Sequence, residues 1–372
     1  MKLLIISHAY QGEQYLSSLE AMVKVGGTEL ALLCPAKLMG ASSCWGPRNG
    51  IQKFAIPVGL GFRQGTFYYR PRDLESVLES FQPDVILHEQ EVYALGAGQI
   101  AMAASRRSIP IVMFVWENTH RQLSVPRRWS RDYVLRRSAA LIAGSEQARR
   151  VHRDWGFSGP AVVIPQMGIE VNNSPRFGRR DPQSLKVCFA GRLEKLKGVD
   201  CLIRAVAKLH SEGVSIACRL AGNGREQMAL TDLVQRLGVQ ECVTFCGFLS
   251  GEALQTLFRG SDLLVLPSRR TRDWHEQFGR VLPEAMAQAC VTVGSNTGAI
   301  PEVIGEKGLL FEENDVRQLA SILKRMAEDS ELLESYQRRL WMRAKELYTN
   351  DHLARRRIEF LQNILQPVRS NA

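Results

Sequence analysis

Short runs of β-branched and aliphatic residues alternate with longer amphipathic stretches along almost the whole chain, and that rhythm admits few folds. A strand, a helix-length crossover and another strand is the pattern of a parallel sheet covered by helices. In the first half the expected strands are 3–7, 29–34, 53–57, 84–88, 109–115, 141–143 and 162–165, with helices such as 73–81 and 94–104 between them. The polar stretch 172–182, with Pro175, Gly178 and Pro182, breaks the rhythm and reads as a linker. Strand 185–190 restarts it, and apolar positions 199, 202, 203, 206 and 209 have helical spacing. Strands at 216–221, 243–245, 263–266, 291–293 and 309–311 follow. From Asp315 the chain reads as helical nearly to its end, with Ile358, Leu361 and Leu365 on one face. A length of 372 residues exceeds the usual single core. The expectation is α/β architecture with two doubly wound domains: 1–170, a linker at 171–182, and 183–350, with helix 351–366 rejoining the first. Ligands bind beyond the carboxyl ends of strands in such sheets, so the expected site is the cleft that two of them face.

Apolar content of 45% and charged content of 23% describe an ordinary globular protein. No run approaches the ~18 apolar residues of a membrane span. The stretch from Met1 to His8 reads as a first buried strand rather than a secretory signal. The eight cysteines, at 34, 44, 188, 201, 218, 242, 246 and 290, form no Cys-x-x-Cys pair and suit small buried positions in a reducing compartment. A cytoplasmic protein is expected, at most resting on the inner face of the membrane. The net charge of +10 is uneven: eleven arginines against three acids lie between Arg106 and Arg153, with Trp129 and Tyr133 among them. Such a segment, 121–137 above all, can rest on anionic lipid or bind an acidic acceptor; it can equally be a solvated helix face whose Arg stems cover apolar surface. No nucleic-acid fold signature accompanies it.

Glu276 and Glu284 frame the most informative segment. Pro283 fits the first turn of a helix and would damage its interior, so the helix starts near Arg280. Glu276 then sits on the incoming loop and Glu284 in the first turn. The Phe278 and Gly279 amides are expected at the helix start, where N–H groups suit an anion. An acidic first turn that only complements the helix dipole has the same pattern.

Arg192 and Lys197 lie between Gly191 and Gly198, in a loop from a strand into a helix. Two cations and a helix start make a diphosphate site, with charge-assisted contacts of roughly 1.5–3 kcal/mol each. Gly222 and Gly247 end further strands, presenting backbone edges to a base or simply turning tightly. Thr297 and Gly298 open another short helix that offers N–H groups to a phosphate. Gly96 and Gly98, with Glu117 downstream, match a dinucleotide fingerprint, but residues 89–95 separate them from their strand. A small-residue helix packing on the sheet is the simpler account. His8, Glu89, Glu91, Glu117, Asn118 and His120 follow first-half strands, and His8, Glu117, Asn118 and His120 are candidate acceptor-binding residues.

Taken together, Gly191 to Gly198, Trp274 to Glu284 and Thr297 to Glu302 resemble the family 4 retaining glycosyltransferases of the GT-B fold. Residues 164–170 look like that family's domain-junction signature, with Glu170 where aspartate is common. The resemblance is specific over 185–312 and looser before it. It implies transfer of a sugar from a UDP- or GDP-linked donor to a glycan, glycolipid or other acceptor, with retention, in surface polysaccharide or glycoconjugate synthesis. Arg192 and Lys197 would neutralise the diphosphate, Glu284 would hold the ribose and Glu276 the sugar hydroxyls. The amides of Gln277, Phe278 and Gly279 would hold the sugar or its phosphate. Gly191, Gly222, Gly247, Thr297 and Gly298 would complete the donor site. Glu117 stands close to where the family's proposed histidine falls, which makes the catalytic set Glu276, Arg192, Lys197 and Glu117. No cofactor or metal is implied, and no Asp-x-Asp triplet occurs. Rival readings are a nucleotide-sugar 2-epimerase on the same fold, a non-catalytic sugar-nucleotide binding protein, and a dehydrogenase using Gly96.

Overall fold

The computed structural model describes residues 1–11, 16–42, 48, 50–61 and 65–366; Cys44 lies outside them. The chain divides into two compact units, Met1–Gly168 with the C-terminal stretch from Asn350, and Ile169–Thr349.

In the first unit the strands are β1 (Lys2–Ser7), β2 (Glu29–Pro35), β3 (Lys37–Leu38), β4 (Ala41–Ser42), β5 (Ile51–Ile56), β6 (Val58–Gly59), β7 (Tyr68–Tyr69), β8 (Val85–Glu89), β9 (Ile111–Val115), β10 (Ser138–Ala143) and β11 (Ala161–Val163). Seven of them form one parallel sheet in the order β11-β10-β9-β8-β1-β2-β5. Along β1, Leu4 and Ile6 enter one core while Leu3 and Ile5 enter another. Both faces are therefore buried, which is why its sequence is a continuous apolar run rather than an alternation. Helices α1 (Ser17–Lys24), α2 (Pro71–Phe81), α3 (Leu95–Arg106), α4 (Val125–Arg137) and α5 (Glu146–Asp154) connect the strands. Gly96 and Gly98 are inside α3, not at a strand end, so the dinucleotide fingerprint has no structural counterpart.

The second unit carries β12 (Leu185–Ala190), β13 (Ile216–Ala221), β14 (Val243–Gly247), β15 (Leu263–Leu266), β16 (Val291–Ser295) and β17 (Leu310–Phe311). They form a parallel sheet in the order β14-β13-β12-β15-β16-β17. Its helices are α6 (Val199–Ser211), α7 (Gln227–Arg236), α8 (Gly251–Arg259), α9 (Val281–Met286), α10 (Ile300–Ile304), α11 (Val316–Glu328) and α12 (Ser330–Leu347). Residues 171–182 are not the free linker their composition suggests. Arg180 N–H donates to Asp262 Oδ1 at 2.7 Å and Gly178 N–H to Gln337 Oε1 at 2.7 Å, which fastens the segment to this unit.

The last helix, α13 (Asn350–Leu365), buries Leu353, Ala354, Ile358 and Leu361 with α1 against the first sheet. Arg357 on it is fully buried. Its Nη2 donates to Pro165 O at 2.6 Å and to Gln166 O, and its Nη1 lies 4.0 Å from Glu89 Oε1. Burial raises the Glu89 carboxyl above its usual range, and the Arg357 charge pulls it back. Removing one partner of a buried pair leaves the other charge stranded. Arg357→Met should thus lower the unfolding free energy by about 3 kcal/mol in urea titration. A change below about 1 kcal/mol would show that α13 is held by its apolar face alone.

Candidate active site

Strand order reverses once in each sheet, between β1 and β8 and between β12 and β15. At such a point neighbouring loops leave in opposite directions and open a crevice at the carboxyl ends of the strands. At the second of these places Lys197 meets Glu276.

In the second unit, β12, β13 and β14 end side by side at glycines. Gly191 N–H donates to Ala221 O at 3.0 Å, and Gly222 N–H to Gly247 O at 2.7 Å. A Cβ on Gly222 would sit 1.8 Å from Gly191 O, so this position requires glycine. The chain then passes Arg192, which is exposed and donates to Glu194 Oε1 at 2.9 Å, and makes a short turn at Lys195–Lys197. Gly198, at φ +64°, brings this loop against the one after β15: a Cβ there would meet Pro267 O at 2.0 Å.

Lys197 reaches across the reversal point. Its Nζ donates to Glu276 Oε2 at 2.6 Å and lies 4.9 Å from the Trp274 ring centroid. Ser268 Oγ donates to the same carboxylate oxygen at 2.8 Å. The two side chains are only 13% and 10% exposed, so each charge depends on the other for its stabilisation. The Glu276 backbone is fixed as tightly: its carbonyl accepts from Ala299 N–H at 2.9 Å. A Cβ on Gly298, at φ +55°, would come within 2.3 Å of that carbonyl. Loops after β12, β15 and β16 are thereby knitted around one carboxylate. Thr297 is buried beside Gly298, and its Oγ1 has no hydrogen-bond partner among the described residues.

Gly279, at φ +73°, turns the chain into α9, whose first residue is Val281. Leu282 N–H donates to Gly279 O at 2.8 Å. The half-buried Phe278 ring packs edge-on to Tyr348 at 5.8 Å. Glu284 stands in the first turn of α9 and forms an ion pair with Arg280, whose Nε lies 2.8 Å from its Oε1. Burial raises its carboxyl above the usual range while Arg280 lowers it.

In the first unit, Glu89 ends β8, and His8, Glu91 and the 116–118 segment follow the adjacent strands β1, β8 and β9. Burial lowers the pKa of His8, which packs edge-on to Phe67 at 6.1 Å. Glu117 and Asn118 are buried. Glu117 accepts from Tyr93 Oη at 2.7 Å, from Thr119 Oγ1 at 2.5 Å and from Arg121 Nε. His120 departs from the expected cluster: it turns outward, 3.3 Å from Asp154 Oδ2, with both side chains exposed. Ser268 and Tyr93 were not legible as site residues, because each meets its carboxylate through the fold; Arg121 lies four residues from Glu117 in a stretch read only for its charge. Trp116 N–H donates to Glu91 Oε1 at 2.9 Å. Burial, then the charge of Glu117, push the Glu91 carboxyl up to about 8.

The Glycosyl transferases group 1 profile matches residues 171–340, and the Glycosyl transferase 4-like domain profile matches residues 13–166. The chain belongs to the family 4 glycosyltransferases. An uncharacterized glycosyltransferase of Methanocaldococcus jannaschii is 36% identical over 135 residues, 36% of this chain and 33% of that protein. A D-inositol 3-phosphate glycosyltransferase of Stackebrandtia nassauensis is 33% identical over 182 residues, 46% of this chain and 39% of that protein. These curated relatives are thus matched over less than half of their length. HepE of Anabaena, crystallised with UDP, superposes with a TM-score of 0.71 at 18% identity, over 98% of this chain and 100% of that one. Sucrose-phosphate synthase of Thermosynechococcus elongatus does so with a TM-score of 0.74 at 16% identity, over 98% and 99%. The family 4 chain thus has the GT-B fold.

A proton held on Glu91 links this site to pH. The folded state keeps that proton up to about pH 8, whereas the unfolded chain releases it in the ordinary carboxylate range. Its contribution to stability is complete in acid and is lost as pH rises through the folded pKa. Glu91→Gln, which keeps the neutral shape, should flatten the fall in stability between about pH 5 and pH 8 in denaturant titrations. An unchanged slope would show that Glu91 does not hold the proton.

Proposed function

We propose that this family 4 chain is a retaining glycosyltransferase that moves a sugar from a UDP- or GDP-linked donor to a glycan, glycolipid or other acceptor, in surface polysaccharide or glycoconjugate synthesis. The observation that carries the reading is the Lys197–Glu276 contact across the β12/β15 reversal, with Gly298 pressed against the Glu276 backbone. A cation and a carboxylate fixed side by side suit a substrate that joins a diphosphate to a polyhydroxylated ring. HepE of Anabaena has also been crystallised with UDP-glucose and with UDP and glucose, which supports a nucleotide-sugar donor on this fold.

In this scheme Lys197 exchanges its Glu276 contact for the donor's diphosphate and offsets the charge that grows on the leaving group. Arg192, exposed on the same loop, swings from Glu194 to the same oxygens. Glu276, its partner drawn to the phosphate, accepts hydrogen bonds from sugar hydroxyls. Glu284 accepts from the ribose. The Gln277–Gly279 backbone and the Gly191, Gly222, Gly247, Thr297 and Gly298 turns shape the remaining walls, where bulk at a turn would collide with backbone. In the first unit, His8, Glu117 and Asn118 face the acceptor, with Glu117 the candidate catalytic carboxylate. Protein cations supply the leaving-group charge in this reading, so it needs no metal.

Lys197→Ala should reduce turnover about 100-fold or more, and Arg192→Ala should slow it with the fold intact. Normal rates for both variants with the true donor would remove the diphosphate assignment. Glu284→Ala should weaken binding of the free nucleotide diphosphate and of the sugar nucleotide alike, whereas Glu276→Ala should mainly impair sugar-dependent steps; calorimetry giving the opposite order would undo both roles. A donor-only incubation that yields epimerised nucleotide sugar instead of slow hydrolysis would point to the 2-epimerase.

A further inference from the structure

Helices α3 and α4 pack side by side over one face of the first sheet. Ser130 Oγ on α4 donates to Ala94 O, at the start of α3, at 3.2 Å. Ile100, Ala101 and Ala104 of α3 enter the same core as Val134 and Leu135 of α4. Because both helices bury one side in that core, their opposite sides look out in the same direction, away from the sheet.

Those outer sides carry an unusual mixture. On α3, Leu95, Met102 and Arg106 are all exposed and recur at helical spacing on one stripe. On α4, Val125, Trp129 and Arg136 do the same, and Trp129 is 79% exposed. Arg127 and Arg128 directly precede Trp129 in the chain, and among the described residues neither they nor Arg136 has an ion-pair partner. The one acid of α4, Asp132, is occupied by Arg131 at 2.7 Å. Four large exposed apolar side chains share these two helices with arginines that have no ion-pair partner among the described residues. They match the two layers of an anionic bilayer surface: an indole and aliphatic groups enter the headgroup boundary while guanidinium groups meet lipid phosphates.

We propose that the α3/α4 face is the surface through which this protein rests on an anionic membrane. The placement rests on, and deepens, the reading above, because α4 begins just after the 116–121 segment that carries Glu117 and Asn118. An acceptor borne by a lipid would then be met at the same edge of the unit that touches the bilayer.

The test is flotation of the full chain with phosphatidylcholine vesicles, with and without phosphatidylglycerol. Binding is expected only with the anionic lipid and is expected to fall at high salt, as screening requires. Trp129→Ser should weaken it severalfold, and Arg128→Glu with Arg136→Glu on the order of ten-fold or more. An equal charge reversal on the second unit, Arg338→Glu with Arg339→Glu, should leave it unchanged. Thermal melting by circular dichroism should be unaltered in the α4 variants, since the changed side chains are exposed. No flotation, equal flotation with neutral vesicles, or equal loss in the second-unit variant would overturn the proposal. Capture by heparin or DNA without flotation would overturn it too and reassign the face to an acidic polymer. Turnover of a water-soluble acceptor separates the two readings: it should survive the α4 substitutions, whereas failure of the transferase reading abolishes it in the unaltered chain.

Discussion

The reversal of strand order between β12 and β15 separates two loops, and the Lys197–Glu276 pair spans that separation. Its contribution to stability is small on balance, because taking two charges out of water offsets most of their attraction. What the pair provides is placement. A cation and a carboxylate at 2.6 Å, steadied by Ser268 and the Trp274 face, are already oriented before any ligand arrives. On the proposed reading Lys197 shifts from Glu276 to the diphosphate when the donor binds, so little further reorganisation is needed as the leaving group develops its own charge. The cost is carried by the surrounding backbone, which holds Glu276 through Ala299 N–H and the close approach of Gly298.

Much of this was legible in the sequence, for reasons specific to each segment. Strands buried on both faces leave unbroken apolar runs, so Leu3–Ile6 and Leu263–Leu266 could be placed without any structure. Pro283 marked the first turn of α9 to within a residue. Gly222 and Gly298 were read as a strand-end turn or backbone edge and as a helix start, and a side chain at either would collide with the chain's own backbone. Pairings across the fold were not legible. Arg357 lies on the last helix and meets Pro165 and Glu89, far away in sequence, and no local pattern announces it. Residues 171–182 have the composition of a linker, but Asp262 and Gln337 capture their amides. His120 sits two residues after Asn118 and yet turns outward, because the non-helical segment there gives successive side chains no common face.

The two units build their sites by different means, and the difference bears on how each could change. In the second unit the decisive contacts are backbone approaches at Gly198, Gly222 and Gly298, where a methyl group would fall 1.8–2.3 Å from a carbonyl oxygen. Such geometry cannot be retuned by one substitution without shifting a strand end, which suits a pocket for a chemically constant group such as a diphosphate. In the first unit the site is a web of side chains: Glu91 and Glu117, with Tyr93, Thr119 and Arg121 around them. There a single replacement alters charge, hydrogen bonding and proton occupancy while the strand ends stay in place. A catalyst that keeps its leaving group and changes its acceptor would put its rigid contacts in one half and its adjustable ones in the other. On the proposed reading, that is the division found between these two units.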